Sequence, residues 1–258
     1  MGGKGQKMKK SVLIAMLATG LCATAFASDF EAVRGKLTDA MAAEVRSDQE
    51  RERDRNRMPV ETLEFFGLRD DMRVVELLPG GGWYTKLLAP VLRENGELLI
   101  AIGASRVAEA MAGWDGFEQV KVTAEDAKAS RAEGSRFYDL ELDGLGVQDV
   151  DMVFTFRNYH NFSESGRQAM NEAAFAALKS GGVYAVVDHT RRHMEAENAE
   201  NVRRFDPVLA IKEIQAAGFQ FEDYATLHFR ADDELRYEVG RRSVSGNTDR
   251  WTLRFRKP

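Results

Sequence analysis

The residues of this chain with the most chemistry to offer are its histidines, four in all, and the carboxylates beside them. His160 follows the apolar run Val150–Phe156, and the pair Asp188-His189 follows Val183–Val187. If those runs are adjacent parallel strands, both histidines reach the same sheet edge. A histidine near its intrinsic pKa can take the proton from an attacking hydroxyl or amine, and Tyr159 can orient a substrate or stack on it. Other readings stay open. Asp188 and His189 can simply satisfy loop backbone groups. His160, Asp188, His189 and His193 have the ligand chemistry of a metal site but follow no compact motif, and no metal is expected. His228 reads as structural, and Trp83, Trp114 and Trp251 read as packing groups.

A second constellation lies upstream in VVELLPGGGWYT, Val74 to Thr85. An apolar run carries Glu76 near its end and runs into Gly80, Gly81 and Gly82. Glycine has no Cβ, so its backbone can press against a ligand and adopt positive φ. The helix that follows begins near Trp83 or Tyr84, where free N–H groups favour a carboxylate or phosphate. The triplet fits the floor of a small-molecule site. Read alone, it also fits a plain strand-to-helix turn.

The elements that must position these residues alternate along the chain. Strands are predicted at Met72–Leu78, Glu97–Ile102, Gln119–Val122, Val150–Phe156, Val183–Val187, Phe219–Leu227 and Trp251–Phe255. Helices are predicted at Asp29–Val45, from Pro59 to Phe66 with Gly67 as the stop, and at Tyr84–Arg93, Val107–Ala112, Ser163–Leu178 and Asp206–Ala217. Strand–helix alternation with short runs of Val, Ile and Leu implies a parallel sheet covered on both faces. In such sheets ligands bind beyond the carboxyl ends of the strands, where the strand order reverses. The stretch from Arg46 to Arg57 has no apolar residue. It suits a solvated helix extension or linker, or an arm whose arginines, such as Arg55 and Arg57, fold over a ligand.

The first 27 residues carry Lys4, Lys7, Lys9 and Lys10, then the apolar stretch Val12–Leu21, then Ala25-Phe26-Ala27. That is the pattern of a secretory signal peptide cut after Ala27. The expected product is exported, either periplasmic or secreted, with an N-terminal helical and charged arm over 28–58 and a main domain over 59–258. Cys22 is the only cysteine, so the processed chain has none, which excludes disulfides, thiolate metal sites and a cysteine nucleophile. Removing the leader takes away four lysines and leaves 32 of the 36 basic residues against 41 acidic ones. That balance argues against nucleic-acid binding. No later stretch is long and apolar enough to span a membrane. The oligomeric state is not legible.

Glu76-Leu-Leu-Pro-Gly80-Gly-Gly82 resembles motif I of the class I S-adenosylmethionine-dependent methyltransferases, and the element order from Pro59 to Pro258 fits that superfamily. More narrowly, Pro79–Thr85, Arg157–Asn161, Asp188-His189 and Thr248–Trp251 are similar to motifs of a group of exported "predicted methyltransferases". The resemblance implies an α/β, Rossmann-like, doubly wound and mostly parallel seven-stranded sheet with an antiparallel C-terminal edge hairpin. It implies S-adenosylmethionine as cofactor and a small-molecule substrate. Glu76 would bond the cofactor's amino group or a bridging water. Pro79, Gly80, Gly81, Gly82 and Tyr84 belong to the loop that passes under its ribose and methionine part. Glu125 or Asp126 would meet the adenine. Arg157, Asn158, Tyr159 and His160 would separate cofactor from substrate. The chain departs from the pattern at two points. Leu78 stands where the motif has its first glycine. No acid ends the second strand at Leu99-Ile-Ala-Ile-Gly103-Ala-Ser105, where the superfamily grips the ribose; Ser105 can substitute in part. A charge-assisted contact of that kind contributes about 1.5–3 kcal/mol, roughly ten- to a hundredfold in affinity. Asn158-Tyr159 also lacks the two prolines of the N-P-P-Y element of amino-group methyltransferases. The alternative function is a catalytically inactive ligand- or metal-binding protein of the periplasm on the same fold.

Overall fold

The structure, a computed structural model, describes residues 30–258; the expected leader lies outside them. Helix α1 runs through residues 30–42. Two one-turn helices follow, α2 (Asp48–Arg51) and α3 (Asp54–Arg57), and then α4 (Pro59–Phe66). The alternating part comprises β1 (Arg73–Leu77), α5 (Thr85–Leu92), β2 (Glu97–Ala101), α6 (Ser105–Met111) and β3 (Lys121–Thr123). A small hairpin, β4 (Lys128–Ser130) with β5 (Asp139–Glu141), leads into β6 (Val150–Phe156). Next come α7 (Glu164–Ala177), β7 (Leu178–His189), α8 (Pro207–Ala216), β8 (Gln220–Ala225) and β9 (Arg250–Arg256).

Seven strands form one sheet in the order β3-β2-β1-β6-β7-β9-β8. All pairings from β3 to β7 are parallel, and β9 runs antiparallel to both of its neighbours. The chain leaves β1 towards β2 and β3 on one side and resumes at β6 on the other, so the order reverses between β1 and β6. This is the expected mostly parallel sheet with an antiparallel C-terminal edge.

Side-chain alternation with period two sends successive strand residues to opposite faces. Val74, Leu98, Ile100, Phe154 and Val187 pack on one face beneath α1, α4, α5 and α6. Val75, Leu99, Val153, Tyr184 and Val186 pack on the other beneath α7 and α8. Ser163 caps α7 by accepting from the Gly166 N–H at 3.1 Å. Asp206 caps α8, with Pro207 at the first helical position, where a missing N–H costs nothing.

The N-terminal segment is not set apart from this core. Val33 and Leu37 of α1 are completely buried in the same cluster as α4 and α5, and each contributes about 1.5–3 kcal/mol relative to exposure. Helix α1 stops earlier than predicted. The charged stretch that follows is neither solvated throughout nor a linker. Arg46 is buried and ion-paired to Asp54 at 2.5 Å, and its Nη1 also donates to the Met41 carbonyl. Arg57 is buried as well. Among the described residues no helix is long and apolar enough to cross a membrane.

Candidate functional site

At the carboxyl edge of the sheet four strands end on a non-glycine residue in the left-handed conformation: Leu78 after β1, Ile102 after β2, Ala124 after β3 and Arg157 after β6. Each such residue costs about 1–2 kcal/mol, and strain of this kind collects where backbone direction is functionally constrained. Leu78, standing in place of a glycine, takes φ 53°. It therefore holds the backbone conformation that glycine would adopt without strain.

Between the ends of β1 and β6 lies a cavity of about 210 Å³, walled by Glu76, the turn Leu78–Gly81, Trp83, Tyr84, Phe156, Arg157 and Asn158. Gly80 and Gly81 face open space, since a Cβ on either would meet nothing within 4 Å. Gly82 does different work. Its φ is +80°, and a Cβ there would come within 2.7 Å of Val107 Cγ2 and 2.9 Å of Trp114. Two glycines of the triplet thus face the cavity, while the third lets α6 pack against the turn. Asn158 is fixed by donating from Nδ2 to the Leu78 and Phe156 carbonyls.

Glu76 is only 3% exposed and accepts a 2.6 Å hydrogen bond from Thr85 Oγ1 at the start of α5. Burial pushes its carboxyl up to about 7, with the Thr85 bond and the charge of Arg57 partly opposing. The lid of the cavity comes from the charged arm, whose Glu50, Arg53 and Arg57 complete the wall. Trp83 Nε1 donates to the Glu50 carbonyl at 2.9 Å, and Lys86 Nζ bonds the Glu50 carboxylate at 2.9 Å. Arg57 lies over the Trp83 ring. The arm reading that folds Arg57 over the site matches this arrangement; Arg55 does not line the cavity.

The predicted catalytic residues part company. Asp188 is fully buried and accepts from the His160 and His189 backbone N–H groups, at 2.8 and 2.6 Å, and bonds His160 Nδ1 at 2.6 Å. It satisfies loop backbone and fixes the His160 ring. His160 is itself buried and lines neither this cavity nor its neighbour. Tyr159 lies in the core on the opposite face of the sheet, against Phe205 and Trp251, with its hydroxyl on Glu213 and Asn171. The expected contact of Tyr159 with substrate is thereby corrected: a side chain with no exposed surface cannot stack on a ligand. His189 alone of the four histidines lines a neighbouring chamber, with its Nδ1 2.9 Å from Thr248 Oγ1. Burial, followed by the charges of Arg250, His160, Arg157 and Arg204, drives its pKa well below the usual value, so it is a neutral imidazole near pH 7.

On the β2 and β3 side, Ser105, Glu125 and Asp126 are exposed and line neither space. His193 pairs with Asp206 at 2.9 Å, away from the other histidines. Among the described residues no three His, Cys, Asp or Glu side chains converge as metal ligands. His228 is a clamp. Its Nδ1 meets Thr252 of β9 at 2.6 Å and its Nε2 meets the Arg57 carbonyl at 3.0 Å. Sequence reasoning missed Arg53 and Arg250 as cavity residues. Arg250 stands inside the quoted Thr248–Trp251 motif, which was the available signal.

No protein-family model and no curated protein sequence matches this chain. Solved structures do resemble it. A SAM-dependent methyltransferase from Aquifex aeolicus aligns at 15% identity and TM-score 0.53, covering 79% of this chain and 92% of that one. The [4+2]-cyclase SpnF aligns at 14% identity and TM-score 0.53, covering 79% and 80%. NcsB1, an O-methyltransferase from neocarzinostatin biosynthesis in complex with S-adenosylhomocysteine and 1,4-dihydroxy-2-naphthoic acid, aligns at 13% identity and TM-score 0.52, covering 81% of this chain and 56% of its own. With its strand order, its reversed seventh strand and these likenesses, the chain has the fold of the class I S-adenosylmethionine-dependent methyltransferases.

Proposed function

We propose that this protein transfers a methyl group from S-adenosylmethionine to a small molecule. The observation that carries the reading is that Glu76, Gly80 and Gly81 wall one cavity at the reversal point between β1 and β6, the place where open α/β sheets take ligands. Two likenesses support it, the Aquifex methyltransferase and NcsB1. SpnF carries the same fold under a cyclase name, so the site rather than the fold has to bear the argument.

The residues fit the cofactor at the β1 end. Two glycines offer bare backbone to the open space, and the Glu76 carboxyl suits an amino group. Glu76, Gly80, Gly81 and Asn158 would hold it, and it would supply an electrophilic methyl group. The cavity is smaller than the about 300–1,000 Å³ of ordinary small-molecule sites, and the chamber beside it supplies further room. The chain's own contribution is alignment in a closed space. Trp83 and the arm exclude water, and His189, kept neutral by burial and its cationic neighbours, is placed to orient the acceptor by a hydrogen bond.

Calorimetric titration with S-adenosylmethionine and S-adenosylhomocysteine tests the reading. Saturable binding at micromolar to low-millimolar ligand is expected, and no heat at millimolar ligand would end it. We further propose export with removal of residues 1–27, on the charge and apolar pattern of that leader. Intact-mass analysis of protein from its own cells should give a chain beginning at Ser28; a chain retaining Met1 or Met8 would refute export by cleavage.

A further inference from the structure

The glycine-walled cavity adjoins a second chamber of about 350 Å³, and the two share Arg53, Arg57 and Arg157. The second chamber adds Arg203, Arg250, His189 and Thr248. Five arginines converge on this hollow; Arg53 and Arg203 are exposed, and Arg203 is ion-paired to Glu238. Among the described residues none of the other four makes an ion pair, and the nearby carboxylates are engaged elsewhere. Glu50 is bound to Lys86, and Asp188, hydrogen-bonded to His160 and the His189 N–H, acts on Arg157 and Arg250 only through its field, with no ion pair to either.

Two of these guanidiniums are buried more than nine-tenths. Arg250 is 6% exposed; its Nη1 donates to the Asn56 carbonyl at 2.8 Å, and its Nε has no partner. Arg57 is 5% exposed and has only the Trp83 and Tyr84 rings beneath it. Burial and mutual repulsion hold the pKa values of Arg57 and Arg250 at about 9 and about 10. Buried cations without partners are costly, and guanidinium forks match the geometry of carboxylate and phosphate.

We propose that this chamber is the acceptor subsite and takes a small molecule bearing a carboxylate or phosphate, with its oxyanion on Arg57, Arg157 and Arg250 and the rest of the molecule facing His189. The word acceptor rests on the methyl-transfer reading above; the anion site itself does not. Arg250 is the discriminating residue, because it lines the second chamber and not the glycine-walled one.

The experiment is a thermal-shift and calorimetric titration of the whole protein with inorganic phosphate and with citrate, at ionic strength matched with chloride. Either oxyanion should raise the melting temperature where chloride does not, and the stronger of the two identifies the headgroup class. Arg250→Gln and Arg157→Gln should each weaken that binding about tenfold or more. Arg256→Gln, a surface residue paired with Glu222, should not. Without added anion, Arg157→Gln should melt at or above the wild-type temperature, since it removes one repelling charge; a purely structural arginine would lower it. Affinity for S-adenosylmethionine should be unchanged in Arg250→Gln. If it falls in step with phosphate, these arginines hold the cofactor's carboxylate and the acceptor assignment is wrong. Absence of protection by either anion also overturns the proposal and leaves cofactor binding untouched. Anion binding without cofactor binding would refute the methyl-transfer reading and keep the chamber as an anion site.

Discussion

The guanidinium carbon of Arg57 sits 4.3 Å from the centre of the Trp83 ring. One residue ends the charged arm, and the other directly follows the glycine triplet. Their stacking joins the lid of the cavity to its floor. Arg46 approaches the same indole at 5.1 Å, and the indole N–H is tied to the Glu50 carbonyl. A tryptophan expected to be only a packing group is thus also the anchor of the lid.

Trp83→Leu removes the indole hydrogen bond and both cation–π contacts. A loss of about 2–4 kcal/mol is expected in urea unfolding, with faster tryptic cleavage within residues 46–57. If cleavage of that segment is unchanged, the arm is held by something other than this ring.

Gly81→Ala and Gly82→Ala should separate binding from folding. Alanine at 81 enters open space, so stability should stay within about 0.5 kcal/mol of wild type while affinity for S-adenosylmethionine drops. Alanine at 82 meets Val107 and Trp114 at positive φ and should destabilise by about 1–3 kcal/mol. The reverse pattern would mean that the triplet faces the cavity differently.

Glu76 makes the fold sensitive to rising pH. Its carboxyl, raised to about 7 chiefly by burial, holds a proton that the unfolded chain releases near pH 4.5. The stabilisation is complete below that value and is lost as pH rises through 7, about 3 kcal/mol in all. Glu76→Gln should therefore gain stability over wild type between pH 5 and 8 in urea titrations. A constant difference across that range would show that Glu76 stays ionised.

His228 works in the opposite sense. Burial pulls its pKa to about 4; the bond to the Arg57 carbonyl opposes this, and the charges of Arg250, Arg230 and Arg157 reinforce it. Stability is complete above about 6.5 and falls as pH drops towards 4, again by about 3 kcal/mol. In the wild type this slope is offset by Glu76 between about pH 4.5 and 6.5. It should emerge in Glu76→Gln and become shallower when His228→Gln is added, with His189, whose pKa is also lowered by burial, supplying what remains. A slope as steep in the double variant as in Glu76→Gln would exclude His228 as a source.

Tyr159→Phe tests the corrected placement of that ring. The hydroxyl bridges Glu213 and Asn171 at 2.9 Å each, so its loss should cost about 1–3 kcal/mol of stability. Ligand affinities and turnover should not change. Lost turnover at full stability would return Tyr159 to the site.

Much of this architecture was legible because it is local. Apolar runs at Val74–Leu77 and Val183–Val187 and the stop at Gly67 each act within a few residues, so strand and helix positions follow from short stretches of chain. The glycine turn was readable for the same reason, and it lines the cavity where the strand order implied it would. Directions of neighbouring side chains were not readable. Tyr159 turns into the core, His160 onto Asp188 and Arg157 into the cavity, because Arg157 takes φ 60°, a conformation that an arginine does not advertise. The lid and the arginine chamber were out of reach altogether. Arg250 meets the Asn56 carbonyl, and His228 meets the Arg57 carbonyl, across separations of 194 and 171 residues. Such contacts exist only once the sheet has brought its last strand beside the first helices, and charge gathered from four segments leaves no pattern in any one of them.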